Sequence, residues 1–317
     1  MSTQHAAPGN TAPGQAAPGN TAPGQAAPGN TAPGNTAPRR PSPTTGPVAL
    51  VTGASQGLGA AVSRALVDSG WSVIIDARSQ GPLAEAATTL RAAAERRATR
   101  RQGTQRRATR RQGTQRRATQ RRTTRRRSIL PAAEVVALAG DVADSWHRAG
   151  LVEAVESFGH LDLLVNNASI LGPSPQPVLA AYPLGIFRQV YEVDVVAPLA
   201  LTQDLLGYLE KSERPRVVNI TSDAAVEAYE GWGGYGSAKA ALDQLTAVLA
   251  AESPWCRWWS VDPGDMRTRM HQEAFPGEDI SDRPLPEAVV PAFLRLVESD
   301  VPSGRIRLSA AELEGKG

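Results

Sequence analysis

In the segment Tyr235-Gly236-Ser237-Ala238-Lys239 a phenol and an ammonium stand four residues apart. That spacing sets two side chains on one face of a helix. A free tyrosine, with a pKa of about 10, exchanges protons poorly at neutral pH. A neighbouring ammonium stabilises the phenolate and draws that pKa toward the working range, as general acid–base catalysis requires. Taken alone, such a pair also fits an ordinary exposed helix surface. A second group of residues bears on the choice. Thr52-Gly53-Ala54-Ser55-Gln56-Gly57-Leu58-Gly59 lies between a short apolar run and an amphipathic stretch. Glycines let a backbone approach a pyrophosphate, and the free N–H groups at a helix start favour an anion. A plain turn uses the same residues, but the strand–turn–helix setting points to a bound nucleotide.

These groups need a scaffold, and the apolar patterning supplies one. Residues 48–51 read as a strand and 59–69 as a helix closed by Gly70, a common residue just past a helix end. Strands follow at 71–77, 134–139, 161–165, 216–221 and 258–261. Helices alternate with them at 82–95, 145–158, 186–210, 236–251 and 286–298. Such alternation predicts an α/β fold, a doubly wound, Rossmann-like parallel sheet with helices on both faces, in a single domain. Ligands in such sheets bind at the C-terminal ends of the strands. The glycine turn falls at one of those ends.

Two stretches stand apart in composition. Residues 6–38 repeat the pattern AAPGNTAPGQ, and residues 96–127 repeat RRATRRQGTQ. Neither buries enough apolar surface to offset the entropy of ordering. Residues 1–46 are therefore expected to be a disordered tail, and 96–128 a low-complexity insert in a domain spanning 47–317. The insert joins a helix to a strand, so it should hang from the sheet edge opposite the ligand. It also distorts the charge balance. It holds fifteen of the 34 basic residues and none of the 31 acidic ones, so the rest of the chain is net acidic by twelve. Without interleaved aromatics, the insert reads as solvated; polyanion or nucleic-acid binding by counterion release is the alternative. Cys256 is the single cysteine, which excludes an intrachain disulfide. No apolar run is long enough to span a bilayer, and no secretory or transit signal is evident. A soluble, cytoplasmic protein without a membrane partner is the expectation.

The turn spacing Thr-Gly-x-x-x-Gly-x-Gly and the Tyr-x-x-x-Lys pair resemble the short-chain dehydrogenase/reductase family. The resemblance runs from about Pro47 to about Arg307, broken by the insert. It implies an oxidoreductase that interconverts an alcohol and a carbonyl compound. In that reading Tyr235 is the general acid/base, and Lys239 binds the nicotinamide ribose and relays protons. Ser222, thirteen residues before Tyr235, matches the family's catalytic serine, which holds the substrate oxygen. The cofactor contacts implied in the turn are Thr52, Gly53, Ser55, Gln56, Gly57, Leu58 and Gly59. Asp141 and Val142 resemble the pair beside the adenine. Asn167 and Ala168, within Asn166-Asn167-Ala168-Ser169, resemble the Asn-Asn-Ala-Gly turn. Pro263, Gly264 and Thr268 resemble the segment whose threonine holds the nicotinamide amide. At the end of the second strand, Ala77 occupies the position that decides the cofactor, and Arg78 follows it. A neutral residue followed by a guanidinium suits a 2′-phosphate, with Ser55 adding a hydroxyl, so NADP(H) is favoured over NAD(H). The competing reading places Asp76 on the ribose, as in NAD enzymes.

Two departures from the family pattern stand out. Asp194 occupies the position where the family has an asparagine that holds a relay water. The expectation is that Asp194 keeps the relay and moves its pH profile upward, or else merely replaces that water ligand. The run Ser253-Pro254-Trp255-Cys256-Arg257-Trp258-Trp259-Ser260 replaces a smoother β-branched strand, with its adjacent tryptophans on opposite sides and one crowding the core. Both departures admit a second reading, a nucleotide-binding sensor or scaffold with weak or no turnover. Other residues read as structural. His147, His160 and His271 show no metal-ligand spacing and suit surface or capping positions, Cys256 reads as a structural thiol, and Trp146 and Phe187 as core. Tyr229 and Trp232 are candidates for the substrate pocket, with residues 267–283 as a lid. A homo-oligomer, dimer or tetramer, is implied by the resemblance.

Overall fold

The computed structural model describes residues 46–115 and 133–308, with side chains up to residue 100 and from 133 onward. The repeat tail, apart from Gly46, and the last part of the insert lie outside the described residues. Seven strands form one sheet: β1 (Val48–Val51), β2 (Ser72–Ala77), β3 (Val135–Ala139), β4 (Leu163–Asn166), β5 (Arg216–Ile220), β6 (Arg257–Asp262) and β7 (Gly304–Arg307). Their order is β3-β2-β1-β4-β5-β6-β7, and every neighbouring pair is parallel. From β1 the chain winds outward through β2 to β3, then returns to place β4 on the other side of β1. That reversal opens a crevice above the C-terminal ends of β1 and β4.

Alternate residues along each strand serve opposite faces. On one face Val51, Ile75, Val218 and Trp259 pack with Leu66 of α1 (Gly57–Ser69), Leu90 of α2 (Gln80–Gln115) and Phe293 of α8 (Val290–Glu298). On the other, Leu50, Ile74, Val217 and Trp258 pack with Val155 of α3 (Ser145–Phe158) and Leu205 of α5 (Ala197–Leu209). The tryptophans thus divide between the layers as strand geometry demands, and the expected crowding does not arise. Each is fully buried. The Trp258 indole N–H donates to Ser253 O and the Trp259 indole to Pro302 O, both at 3.0 Å.

Several expectations are corrected. Trp146 is 86% exposed, not core, because it lies in the first turn of α3 on the side away from the sheet. Helix α2 does not stop near residue 95 but runs to Gln115. Arginine, alanine and glutamine are strong helix formers, and no proline interrupts them. The helix expected at 186–210 is three pieces: α4 (Leu184–Tyr191), a π-helical turn (Glu192–Val196) and α5. Pro198 supplies the reason. It has no N–H to give the Asp194 carbonyl and its ring crowds that carbonyl, so the ladder widens there. Strand β7 and helix α7 (Arg269–Ala274) were not read from the sequence. No helix among the described residues is long and apolar enough to cross a membrane.

Candidate active site

A cleft of about 780 Å³ occupies the C-terminal edge of the sheet. Its floor is the turn between β1 and α1, packed against the turn after β4. Gly53 has φ +65°, and a Cβ there would meet Ala168 Cα at 2.8 Å. At Gly59 a Cβ would meet the Asn167 side-chain nitrogen at 2.5 Å. Only glycine allows this approach. Thr52 Oγ1 accepts the N–H groups of Asn167 and Ala168, both at 3.0 Å. In return Asn167 Nδ2 donates to the carbonyls of Thr52 (2.8 Å) and Gly53 (3.1 Å). Thr52 and Gly59 therefore join the two turns and do not line the cleft, whereas Gly53, Ser55, Gln56, Gly57, Leu58, Asn167 and Ala168 do. No side chain caps α1 at this end.

Under the turn lies a buried pair. Asp76 accepts the Gly53 N–H at 2.7 Å and meets His147 Nε2 at 3.0 Å. Burial pushes the Asp76 carboxyl above its ordinary range, against the lowering pull of the His147 hydrogen bond. His147 is thus neither a surface nor a capping residue, and its side chain is only 8% exposed. With both Asp76 oxygens engaged, the residues left at the rim are Ala77 and Arg78, and Arg78 is exposed. Asp141 and Val142 continue the rim beyond β3. Across the cleft Pro263, Gly264 and Thr268 form the opposite lip, with Thr268 Cγ2 3.6 Å from where a Gly57 Cβ would stand. The Thr268 hydroxyl accepts the His271 N–H at 3.2 Å and caps α7.

Helix α6 (Gly233–Glu252) brings Tyr235 and Lys239 to the cleft wall, both buried. Lys239 Nζ is 5.4 Å from the Tyr235 ring centroid. The ammonium donates to Ile220 O at 3.1 Å and pairs with Asp194 Oδ1 at 2.9 Å. Asp194, fully buried behind the cleft, also accepts the Ser169 hydroxyl and, at 3.3 Å, the Ile170 N–H. This network reverses one expectation. Burial, assisted by Asp194, holds the Tyr235 phenol above its ordinary pKa, although Lys239 and the Ser169 hydroxyl pull it down. Proximity to lysine was legible in the spacing; the opposing burial and the carboxylate's reach were not. Burial alone would depress the Lys239 ammonium, but Asp194 and Tyr235 carry it above its ordinary value.

Ser222 follows β5 and lines the same wall. Its hydroxyl accepts the Ala224 N–H at 3.2 Å and donates to Asp223 Oδ1 at 2.9 Å. Sequence reading missed Arg305, the residue that fastens this corner. Its guanidinium donates to Ser222 O (2.9 Å) and to Asp262 Oδ2 (3.2 Å), and to Asp243 Oδ2 of α6 (3.1 Å). One side chain on β7 thereby joins the ends of β5 and β6 to α6. No spacing signal could have announced it, because its partners lie 43 to 83 residues away.

Beyond Ser222 the cleft is walled by Leu171, Trp232, Met270 and Ala274. Tyr229 is not in this wall; it packs edge-on to Trp232 and donates to Asp223 Oδ2 at 3.2 Å. The segment expected as a lid forms a wall, with the Glu273 carbonyl bonded to Ser174 Oγ at 2.6 Å and Phe275 5.8 Å from Trp232. Cys256 is buried in the core, its thiol pushed up to about 12, as a structural thiol would be. Among the described residues no cluster of His, Cys, Asp or Glu could hold a metal ion.

A doubly wound parallel sheet, a glycine turn opening a helix and a buried Tyr–Lys pair in one crevice define a Rossmann-type dinucleotide site of the kind hydride-transfer enzymes use. The family model described as short chain dehydrogenase matches residues 47–124 and 108–279, and the chain belongs to that family. Mouse sepiapterin reductase is 34% identical over 151 residues, which cover 45% of this chain and 58% of that protein. The chain thus matches little more than half the length of that relative. A 3-oxoacyl-[acyl-carrier-protein] reductase of rhamnolipid biosynthesis from Pseudomonas aeruginosa is 31% identical over 213 residues, 65% of this chain and 67% of the relative. Among solved structures, a short chain dehydrogenase from Pseudomonas syringae superposes with a TM-score of 0.67 at 30% identity, covering 84% of this chain and 96% of that one.

Proposed function

We propose that this protein is an NADP(H)-dependent oxidoreductase that interconverts an alcohol and a carbonyl compound, with Tyr235 as general acid/base. The observation that carries the reading is the buried Tyr235–Lys239 pair in the same cleft wall as Ser222. The glycine turn, held against Asn167 and Ala168 where no Cβ fits at Gly53 or Gly59, and the uncapped start of α1 suit a pyrophosphate. Arg78 and Ser55 would take a 2′-phosphate, Asp141 and Val142 the adenine, Thr268 the nicotinamide amide and Lys239 the ribose. NADP(H) is favoured because Arg78 at the rim forms no ion pair among the described residues while Asp76 is engaged by Gly53 and His147. The bound nicotinamide supplies or accepts the hydride.

The side chains divide the remaining work. Ser222 donates a hydrogen bond to the substrate oxygen and polarises the carbonyl. Tyr235 gives its phenolic proton to that oxygen in reduction and takes it back in oxidation. Lys239 restores the proton and holds the charge balance, and Asp194 positions Lys239. A raised pKa keeps the Tyr235 phenol protonated, the form that acts when a carbonyl is reduced. The test is NADPH and NADH oxidation with a panel of aldehydes and ketones. Turnover should be lost in Tyr235→Phe with NADPH binding retained, and Arg78→Ala should raise the KM for NADPH about tenfold or more, with little effect on NADH. Equal turnover by Tyr235→Phe overturns the mechanism, and equal use of both cofactors by wild type overturns the NADP assignment. The binding-only reading draws on Asp194, which opposes the phenolate. NADPH binding without oxidation by any carbonyl would favour it.

A further inference from the structure

Ser222 must donate its hydroxyl proton to the substrate oxygen, yet in the structure that proton is given to Asp223 Oδ1, 2.9 Å away. Asp223 lines the cleft beside Ser222 and Tyr235. Its two oxygens take hydrogen bonds from Ser222, from the Ala224 N–H at 2.9 Å and from the half-exposed Tyr229 hydroxyl. The ion pairs among the described residues that border the cleft, such as Lys239–Asp194, Arg305–Asp262, Arg269–Glu273 and His271–Asp265, leave it out. A carboxylate with no ion-pair partner among the described residues therefore stands directly beside the residue that would hold the carbonyl, in a cleft whose wall beyond it mixes Leu171, Trp232, Met270 and Ala274 with Arg269, His271 and Glu273.

A simple ketone placed on Ser222 must take the proton away from Asp223 and leave Oδ1 with the Ala224 N–H as its one remaining donor of the two. A substrate that brings its own donor on the carbon next to the carbonyl does not. Its O–H or N–H replaces the Ser222 hydroxyl on Asp223, and Ser222 turns to the carbonyl. The 2.9 Å between Ser222 Oγ and Asp223 Oδ1 is a spacing that a carbonyl oxygen and a vicinal hydroxyl can serve together. A substrate carboxylate in the same place would face Asp223 with like charge.

We infer that Asp223 is a specificity-determining residue that selects α-hydroxy or α-amino ketones carrying an apolar or aromatic group, and rejects α-keto acids. The inference rests on the reductase reading above and names its substrate class. The chemistry is unchanged. The nicotinamide, when bound, would supply the hydride to the carbonyl carbon, Tyr235 would protonate the oxygen, and the products would be a vicinal diol or amino alcohol and the oxidised cofactor.

Three phenyl ketones of one skeleton test it: 2-hydroxyacetophenone, acetophenone and benzoylformate, each followed by NADPH oxidation with the full chain. Wild type should favour the hydroxy ketone over acetophenone by about ten- to a hundredfold in kcat/KM, since a site built around a hydrogen bond penalises the analogue lacking it. Benzoylformate should be the slowest. In Asp223→Ala and Asp223→Asn the hydroxy ketone should slow while acetophenone speeds up, because Ser222 is released. That crossing of rates separates specificity from damage, which would lower both. A wild-type ratio near one overturns the inference, as does the same ratio in both variants. If NADPH binds but none of these or any aldehyde is reduced, the reductase reading itself fails.

Discussion

Replacing Asp194 by asparagine isolates the carboxylate behind the Tyr235–Lys239 pair. Asp194 Oδ1 lies 2.9 Å from Lys239 Nζ, which is 5.4 Å from the Tyr235 ring centroid. The carboxylate is thus at most about 8 Å from the ring, and a unit charge there, at an effective dielectric of ~20, is worth about 2 kcal/mol, or ~1.5 pH units. All three groups are buried, so solvent screens little of this. Asp194 opposes the phenolate, so its neutralisation lowers the Tyr235 pKa. Two profiles should move together. On the proposed mechanism, the rising limb of alcohol oxidation, with the phenolate as base, and the falling limb of carbonyl reduction, with the phenol as acid, should both shift down by about 1 to 1.5 pH units. Stability supplies a second readout. The Lys239 pKa is raised in the folded state, so its contribution is complete below the unfolded value of about 10.4 and is lost as pH rises through the folded value. Asp194→Asn should cost about 3 kcal/mol near neutral pH, because it leaves a buried ammonium without its partner, and should remove that alkaline loss. The assays are pH–rate profiles in both directions and thermal melts across pH. Superimposable profiles, or a shift to higher pH, would refute the assignment.

Arg305→Met removes the donor from Ser222 O, Asp243 and Asp262 at once, and should lower stability by about 2 kcal/mol and Tm by ~4–8 °C, with kcat/KM down about tenfold. Melting curves and steady-state kinetics check this, and an unchanged Tm would show that the guanidinium does not fasten the corner. Trp259→Ala empties a fully buried site and should cost about 3–5 kcal/mol, a large part of a domain's total stability, measured by denaturant unfolding. A loss below about 1 kcal/mol would show that the layer does not depend on this indole.

Features that depend on neighbours along the chain were legible in advance. The Tyr235–Lys239 interval, the glycine turn and the switch between periods of two and 3.6 residues all concern residues a few positions apart. Opposite faces for Trp258 and Trp259 follow from the pleat alone. What was missed depends on pairs that only the folded sheet brings together. His147 looked like a surface residue because its partner, Asp76, is 71 residues away on a strand that α3 packs beside. Arg305 sits on a strand too short and polar to be recognised, and its purpose lies in three other elements. Trp146 was misjudged because residue type does not say which side of a helix's first turn faces the sheet. The extent of α2 was missed because a composition too polar for a core was taken as too polar for a helix. Burial around Tyr235 was missed for a related reason, since spacing reveals which groups are near but not how much water surrounds them.

The π-helical turn at Glu192–Val196 has a consequence for anyone wishing to graft or redesign this site. One residue more than an α-helical ladder accommodates is housed there, so α4 and α5 are out of phase with each other by roughly a quarter of a revolution. Deleting a single residue to regularise the helix would rotate every side chain on one flank relative to the other. Either Asp194 would swing away from Lys239 or Leu201 and Leu205 would leave the sheet. The irregularity acts as a phase adjuster between a packing face and a chemical face, and a transplanted site would have to carry it along.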